Sequence, residues 1–264
     1  MPDTSPAARS QGASPWGGPK RAAQVLLDIL FPPRCAGCGQ LGSVFCRSCQ
    51  ARVIPVRTPV CVRCGHPLAA SAEATLCDFC RRTRSPIDGI TSTAVYAPPL
   101  REAIHHFKYR NGRALAAPLA QRMVTCWQDT GLRADLIVPV PLHTARQVER
   151  GYNQAVLLVG VFGAAAGIDI DERLLVRQRA TLPQVDLGRA ERKRNVSGAF
   201  AATRQVHGVK LLLVDDVCTT GATLEACAQA LRDAGAAGVW ALTVARAHWG
   251  PEVSAPDASG LARI

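Results

Sequence analysis

One run of residues constrains this chain more than any other. It reads LLLVDDVCTTGATL and extends from Leu211 to Leu224. A buried strand here ends in Asp215 and Asp216, two carboxylates that an apolar core would not tolerate unpaired, so they must emerge at the strand end. The small residues that follow lead into a helix, whose N–H groups and dipole favour a phosphate. The run therefore predicts an anion site at the carboxyl end of a strand.

The predicted phosphate loop is small and rich in hydroxyl groups: Cys218, Thr219, Thr220, Gly221, Ala222 and Thr223. Gly221 allows the backbone to approach an anion. The two carboxylates can take ribose hydroxyls directly or through Mg²⁺, which prefers oxygen ligands. The run matches neither a Walker loop nor a GxGxxG turn. A strand end followed by an N-capping threonine is the simpler alternative. Because the pattern of carboxylates, hydroxyl groups and glycine extends over the whole run, we favour a site for a ribose 5-phosphate.

Strand-like and helix-like segments alternate around this run from about residue 87. The apolar spacing predicts main strands over 135–140, 209–217 and 239–245 and helices over 114–127, 153–166 and 223–234. It also predicts strand-like stretches over 91–97 and 174–178, a helix that includes 104–107, and a polar, irregular stretch over 179–195. This alternation is typical of an α/β fold with a parallel sheet and flanking helices.

The composition fits such a core and favours anionic partners. Apolar residues make up 48% of the chain but aromatic residues only 5%, so the core must be built mainly from Ala, Val and Leu. The formal net charge is +11, and a positive field concentrates phosphates and nucleic acids alike.

Eight of the eleven cysteines occur as four Cys-x2-Cys pairs: Cys35 and Cys38, Cys46 and Cys49, Cys61 and Cys64, and Cys77 and Cys80. Each pair can present two thiolates on one tight turn to a tetrahedral Zn²⁺. Eight ligands make two sites, and four thiolates leave zinc no open position, so the metal role is structural. Disulfides or reactive thiols are the alternative, but a reducing compartment favours metal.

The grouping of the cysteines into sites has two solutions. Sequential ribbons, one built from the first two pairs and one from the last two, compete with a cross-braced arrangement. Each sequential set is compact, and 51–60 between them resembles a linker with two prolines, so the sequential grouping is favoured. Of the other cysteines, Cys126 and Cys227 lie on apolar helix faces and are predicted to be core residues.

We predict four regions along the chain. Residues 1–21 form a disordered tail, 22–86 a short helix (Ala22–Phe31) plus a double zinc ribbon, 87–248 the α/β domain, and 249–264 a C-terminal tail. The sequence contains neither the apolar core of a signal peptide nor an apolar run long enough for membrane insertion. We therefore expect a cytoplasmic protein.

Several stretches together resemble a known family. LLLVDDVCTTGAT is similar to the phosphoribosyl pyrophosphate (PRPP) motif of type I phosphoribosyltransferases, a Rossmann-like fold. From Phe31 to Ala245 the chain resembles ComF family proteins, which join cysteine knuckles to such a domain. The other matching stretches are FPPRCAGCG (31–39), HHFKYRNG (105–112), VPVPLHTARQVERGYNQA (138–155) and RQRATLPQVDLGRAERKRNVSGAF (177–200).

The resemblance implies roles for individual residues. Asp215 and Asp216 would be the catalytic pair on the ribose hydroxyls, and 218–223 would hold the 5-phosphate. Pyrophosphate would lie at a loop over 139–143, often with a non-proline cis bond in the family. Its implied ligands are Pro141, Leu142, His143, Arg146 and Arg150. A flexible loop over 179–194 would close the site, and Gln184, Arg192, Lys193 and Asn195 match the ComF pattern there.

The resemblance also implies ligands and partners. PRPP with Mg²⁺ would be the donor of a phosphoribosyl group, with pyrophosphate released. The acceptor stays unassigned, because the hood that reads it varies; its candidates here are Tyr96, His105, His106, Phe107 and Tyr109. ComF resemblance links the chain to natural transformation, with single-stranded DNA or a competence helicase as possible partners. A PRPP sensor without transferase activity is a further alternative, and the sequence does not indicate an oligomeric state.

Overall fold

The computed structural model describes residues 32–69, 74–179 and 189–247. The predicted tails, the predicted helix over 22–31 and Gln184 lie outside these residues.

Helices and strands alternate through most of the described chain. The helices are α1 (Arg47–Ala51), α2 (Asp78–Arg82), α3 (Leu100–Tyr109), α4 (Ala116–Thr130), α5 (Thr144–Arg150), α6 (Gln154–Ala166), α7 (Arg189–Val196) and α8 (Ala222–Asp233), with a 3-10 turn at Arg113–Leu115. The strands are β1 (Gly89–Val95), β2 (Leu136–Pro139), β3 (Asp169–Ile170), β4 (Leu175–Arg177), β5 (Phe200–Ala202), β6 (Lys210–Cys218) and β7 (Gly238–Arg246). Each main strand and helix predicted from the apolar spacing is present, with ends shifted by one to three residues.

Five strands form a parallel sheet in the order β1-β7-β6-β2-β3. From β2 the chain passes outward to β3, whereas from β6 it passes the other way to β7. A crevice therefore opens between the carboxyl ends of β2 and β6, and ligands of open α/β sheets bind at such a switch point. The fold class predicted from the sequence is confirmed.

Both faces of the sheet are covered, as parallel sheets require. Along β6, Leu212 and Val214 face a core that includes residues of α3, α4 and α6, while Leu211 and Leu213 face a core that includes residues of α8. Most of the buried apolar residues are Ala, Val and Leu, as the composition predicted. Within the described ranges, no helix combines the length and the apolar character needed to cross a membrane.

The cysteine-rich region packs along the edge of the sheet beside β1. Val95 N donates to Ile54 O at 2.8 Å, and Pro55 forms an antiparallel bridge with Ala94. The stretch predicted as a linker over 51–60 thus covers an otherwise open strand edge.

Two predictions about local structure need correction. The stretch over 179–195 is not irregular throughout, because α7 occupies Arg189–Val196; its Arg, Ala, Glu and Lys residues are good helix formers, and Val196 is buried. The strand near 174–178 does not join the main sheet. It pairs antiparallel with β5, residue 177 opposite 200.

Candidate functional site

A cavity of about 770 Å³ occupies the crevice at the carboxyl ends of β2 and β6. Its lining includes ten of the thirteen residues predicted to bind PRPP: Pro141, Leu142, Arg146, Arg150, Asp215, Asp216, Cys218, Thr219, Gly221 and Thr223. It also includes residues that the sequence did not predict, above all Lys108, Glu149, Asn153, Gln154 and Arg177. Residues distant in sequence are thus gathered in one space.

The acidic pair lies within the strand and not beyond its end. β6 continues past the last residue of β2, because Pro139 pairs with Val214 while Asp215 still pairs with Thr243 of β7. Beyond Val214, β6 therefore has β7 but not β2 as a paired neighbour. At this point Asp215 and Asp216 line the cavity.

One of the two carboxylates has a cationic partner. Asp216 is 5% exposed, and its Oδ1 lies 2.8 Å from Nζ of Lys108, at the end of α3. Asp216 N also donates to Oδ1 of Asp215 at 2.8 Å. The ion pair connects α3 to β6 across the crevice.

Burial and nearby charges shift the pKa values of Asp215 and Lys108. Burial, followed by the charge of Asp216, raises the pKa of Asp215 to about 7. Burial acts to lower the pKa of Lys108, but the neighbouring Asp216 carboxylate outweighs this effect and raises that pKa. Lys108 therefore stays charged, and Asp215 is ready to ionise when a cation or a hydroxyl donor approaches.

The predicted phosphate loop has the backbone that an anion site needs. Gly221 has φ +81°, and α8 begins at Ala222 directly after it. Thr220 does not line the cavity, because its Oγ1 accepts a hydrogen bond from Ala222 N at 3.1 Å. Ala222 also lies outside the lining. Gly221 is the N-cap of α8, so the N-capping threonine weighed as an alternative is not present, while Thr219 and Thr223 line the cavity.

Four cations contribute to the same cavity, and we call them the cationic wall: Lys108, Arg146, Arg150 and Arg177. Arg150 is held by Tyr109, whose Oη lies 3.1 Å from Nη2 and whose ring centre lies 4.8 Å below the guanidinium. Its Nη1 also donates to Gln154 at 3.1 Å. Burial, then the charge of Arg146, lowers the pKa of Arg177. An anion among these side chains would relieve their mutual repulsion.

Some predicted residues have other roles. His143 caps α5, because Ala145 N donates to its Nδ1 at 3.3 Å, and it does not line the cavity. Phe107, a hood candidate, is fully buried in the core. His105 packs against Tyr109 with ring centres 4.9 Å apart, and neither His105 nor His106 lines the cavity. Tyr96 and Tyr109 do line it.

The loop over 139–143 also lacks the cis bond that is frequent in the family. The cis peptide bonds among the described residues are Thr58–Pro59 and Pro98–Pro99.

The eight paired cysteines form two clusters in which the Sγ atoms lie within 4.8 Å of one another. The first cysteine cluster is Cys35, Cys38, Cys46 and Cys49, and the second is Cys61, Cys64, Cys77 and Cys80. This is the sequential grouping that the spacing favoured. Sulfurs at the corners of a tetrahedron with Zn–S bonds of 2.3 Å lie about 3.8 Å apart. Two of the observed distances are 3.7 Å (38 to 46) and 3.8 Å (64 to 77), so both clusters fit zinc.

Donors around the first cluster also favour thiolates. Cys46 N donates to Cys35 Sγ at 3.3 Å, and Arg52 Nη2 donates to Cys49 Sγ at 3.2 Å. Burial acts to raise the pKa of Cys35, but nearby hydrogen-bond donors lower it to about 6.

Comparisons with known proteins agree with this two-part architecture. The profile of the double zinc ribbon domain matches residues 26–88, and the profile of the phosphoribosyl transferase domain matches residues 110–261. The DNA utilization protein YhgH of Salmonella typhimurium is 36% identical over 204 residues, which cover 75% of this chain and 88% of that protein. Competence protein F of Haemophilus influenzae is 30% identical over 210 residues, covering 76% and 90%.

The chain belongs to the ComF family. A more distant relative, competence protein ComFC of Bacillus subtilis, is 27% identical over 209 residues, which cover 76% of this chain and 83% of that protein. In this ComF protein, the double zinc ribbon match contains both cysteine clusters. The phosphoribosyl transferase match contains most of the cavity lining.

The cavity residues that the sequence did not reveal in this ComF protein come from four elements. Lys108 is near the end of α3, Glu149 is in α5, and Arg177 ends β4. Asn153 caps α6, and Gln154 is its first residue. Lys108 and Arg177 lie within stretches that resemble ComF proteins, but no spacing relates them to the acidic pair. The only available signal was their charge, which on a chain with 31 Lys and Arg residues is weak.

Proposed function

We propose that the crevice binds PRPP. The 5-phosphate lies at 218–223, the ribose hydroxyls at Asp215 and Asp216, and the pyrophosphate near the cationic wall and the loop over 141–143. One observation carries this proposal: the acidic pair, the phosphate loop and four cations line a single cavity. PRPP has two anionic ends and a ribose between them, and the cavity offers a phosphate loop, a cationic wall and two carboxylates.

The size and charge of the cavity support a ligand of this kind. Small-molecule sites commonly have volumes of about 300–1,000 Å³, and this cavity has about 770 Å³. At the loop, backbone N–H groups and the α8 dipole favour a phosphate. At the other end, Arg146 and Arg150 are one helical turn apart on α5, so their guanidinium groups can act on one pyrophosphate.

The acidic pair also fits Mg²⁺, which prefers carboxylate and water oxygens. Asp215 is the better candidate ligand, because Asp216 already pairs with Lys108. When bound, Mg²⁺ would offset negative charge on the pyrophosphate. Lys108 would keep Asp216 ionised and oriented toward the ribose.

We further propose phosphoribosyl transfer as the reaction. An acceptor would attack C1 of the ribose, the bond from C1 to the pyrophosphate oxygen would break, and the cationic wall would stabilise the charge that develops on pyrophosphate. Tyr96 and Tyr109 line the cavity and are the candidate residues for contact with the acceptor. The residues of the site support this reaction class, and the acceptor stays unassigned.

The relatives extend the proposal to DNA. Since curated relatives are named for DNA utilization and for competence, we infer that this chain also acts in the handling of incoming DNA. Its net charge of +11 favours an anionic polymer. Fluorescence anisotropy with a labelled single strand should show binding whose affinity falls steeply with salt. No binding at low salt would argue against this role.

Two zinc ions per chain are proposed for the cysteine clusters, with a structural role. Metal analysis of protein purified without chelator should give about two equivalents of zinc. A content near zero would contradict this.

Calorimetric titration with PRPP and Mg²⁺ tests the proposed site. Replacement of both carboxylates, Asp215→Asn with Asp216→Asn, should weaken binding by about 100-fold, because each lost charge-assisted hydrogen bond is worth about 1.5–3 kcal/mol. The matched control is Asp129→Asn with Asp233→Asn, which removes two exposed carboxylates outside the cavity. Equal affinity for wild type and the Asp215/Asp216 double variant would reject the site.

A further inference from the structure

A buried arginine lies beneath the phosphate loop. Arg246, the last residue of β7, is 6% exposed, and its Nη1 donates to Cys218 Sγ at 3.2 Å. Its Nε is also buried and has no hydrogen-bond partner among the described residues. Within that part of the chain, it forms no salt bridge with a carboxylate. A buried guanidinium without a counter-charge is costly, so compensation must come from elsewhere.

The second cysteine cluster lies next to this guanidinium. A Cβ added at Gly65, directly after Cys64, would lie 3.7 Å from Arg246 Nη1. Cys64 and Arg246 line the same small cavity as Thr220 of the phosphate loop. The second cluster and the guanidinium are therefore close enough to interact electrostatically.

A metal in the second cluster would supply the missing counter-charge. Four thiolates around one Zn²⁺ carry a formal charge of about −2, which suits a neighbouring guanidinium. A metal held in this cluster would therefore place negative charge beside a guanidinium that has no carboxylate partner among the described residues.

Arg246 in turn contacts the point where the phosphate loop begins. Cys218 is the last residue of β6, it pairs with Arg246 across the sheet, and its carbonyl accepts from Ala247 N at 2.9 Å. A second contact runs through β1. A Cβ at Gly65 would lie 2.5 Å from Ile90 O, and one at Gly221 would lie 3.3 Å from Ile90 Cδ1. The cysteine turn and the phosphate loop therefore approach the same residue of β1.

We propose that Arg246 is a positioning residue that couples the second cysteine cluster to the phosphate loop, so that metal in this cluster and PRPP in the crevice strengthen each other's binding. The first cluster has no such contact with the loop; it approaches the start of α3, where a Cβ at Gly37 would meet Pro99 at 2.9 Å. The inference rests on the proposed function, since it assumes that the loop holds the 5-phosphate.

The test uses the zinc-loaded full-length protein in equilibrium competition with a chromophoric chelator, with and without saturating PRPP. Reciprocal coupling requires PRPP to raise the zinc affinity of one of the two sites, by about fivefold or more. In Arg246→Gln this effect should vanish, and PRPP should bind the zinc-loaded protein more weakly by the same factor. Arg246→Lys, which keeps the charge, should restore part of the coupling.

Arg52→Gln is the matched control, because Arg52 Nη2 donates to a cysteine of the first cluster at 3.2 Å. This variant should keep full coupling. If wild type binds PRPP but its zinc affinities do not change, the proposed coupling is wrong and the proposed function is unaffected. Undiminished coupling in Arg246→Gln would overturn the role of Arg246. Absence of PRPP binding to wild type would overturn the proposed function and, with it, this inference.

Discussion

The two walls of the crevice are built in different ways. The β6 wall, residues 215–224, is one continuous segment in which a strand, a loop and a helix start follow each other. The cationic wall is assembled from α3, α5 and β4, whose residues are separated by up to about 70 positions (108 to 177). The first wall is defined by local sequence, and the second exists only once the chain has folded. Each wall is proposed to hold a different part of the ligand.

The contrast between the two walls should be clearest when the two ends of PRPP are tested separately. We expect Arg146→Met and Arg150→Met each to weaken PRPP binding by about tenfold or more, since each removes a charged contact with pyrophosphate worth at least about 1.4 kcal/mol. Binding of ribose 5-phosphate, which lacks the pyrophosphate, should change less than about twofold. Calorimetry with both ligands measures the difference.

Arg133→Met serves as the control for a general loss of positive charge, because Arg133 is exposed and outside the cavity. If the Arg146 and Arg150 variants weakened both ligands equally, the assignment of the pyrophosphate to the cationic wall would be wrong.

The ion pair between the walls should contribute to stability. Lys108→Met leaves Asp216 buried without a counter-charge, and we expect the free energy of unfolding to fall by about 2 kcal/mol. Adding Asp216→Asn should recover about half of this loss, because a neutral amide is less costly to bury. Urea unfolding at constant zinc measures both values. Strictly additive effects of the two substitutions would show that the pair is not coupled.

The contrast between the β6 wall and the cationic wall also explains which parts of the site the sequence could predict. The parallel sheet followed from alternating apolar segments, and the β6 wall followed from a contiguous pattern at residues 211–224. The cysteine clusters followed from their spacing. Lys108 was missed because its place in the site depends on how α3 packs against the sheet. The predicted strand over 209–217 already contained Asp215, but the end of β2 beside it depends on the register of the sheet.

Helix α7 was missed for a different reason. The high charge of its stretch suggested an irregular loop, although its residues favour helix and Val196 is buried by the tertiary fold. Similarly, nothing in the sequence pattern relates Arg246 to the second cysteine cluster, because the two meet only through packing across β1.

A further expected effect concerns pH. Burial and Asp216 raise the pKa of Asp215 to about 7, above its ordinary value near 3.9. The folded state therefore favours the protonated carboxyl. This stability is present in full below about pH 4 and is lost as the pH rises through 7. Asp215→Asn cannot ionise, and its amide oxygen can still accept from Asp216 N.

The stability of the variant relative to wild type should therefore increase as the pH rises from 5 to 8. Unfolding free energies of both proteins at the two pH values measure this. A difference between the two proteins that does not vary with pH would show that Asp215 has an ordinary pKa.

A crystal structure of the zinc-loaded protein with PRPP and Mg²⁺ would show directly how the crevice holds its ligand. We expect the 5-phosphate at the backbone N–H groups of 219–223, the ribose hydroxyls at Asp215 and Asp216, and the pyrophosphate beside Arg146 and Arg150. Density for the ligand outside the crevice, or with its 5-phosphate at the cationic wall, would contradict it.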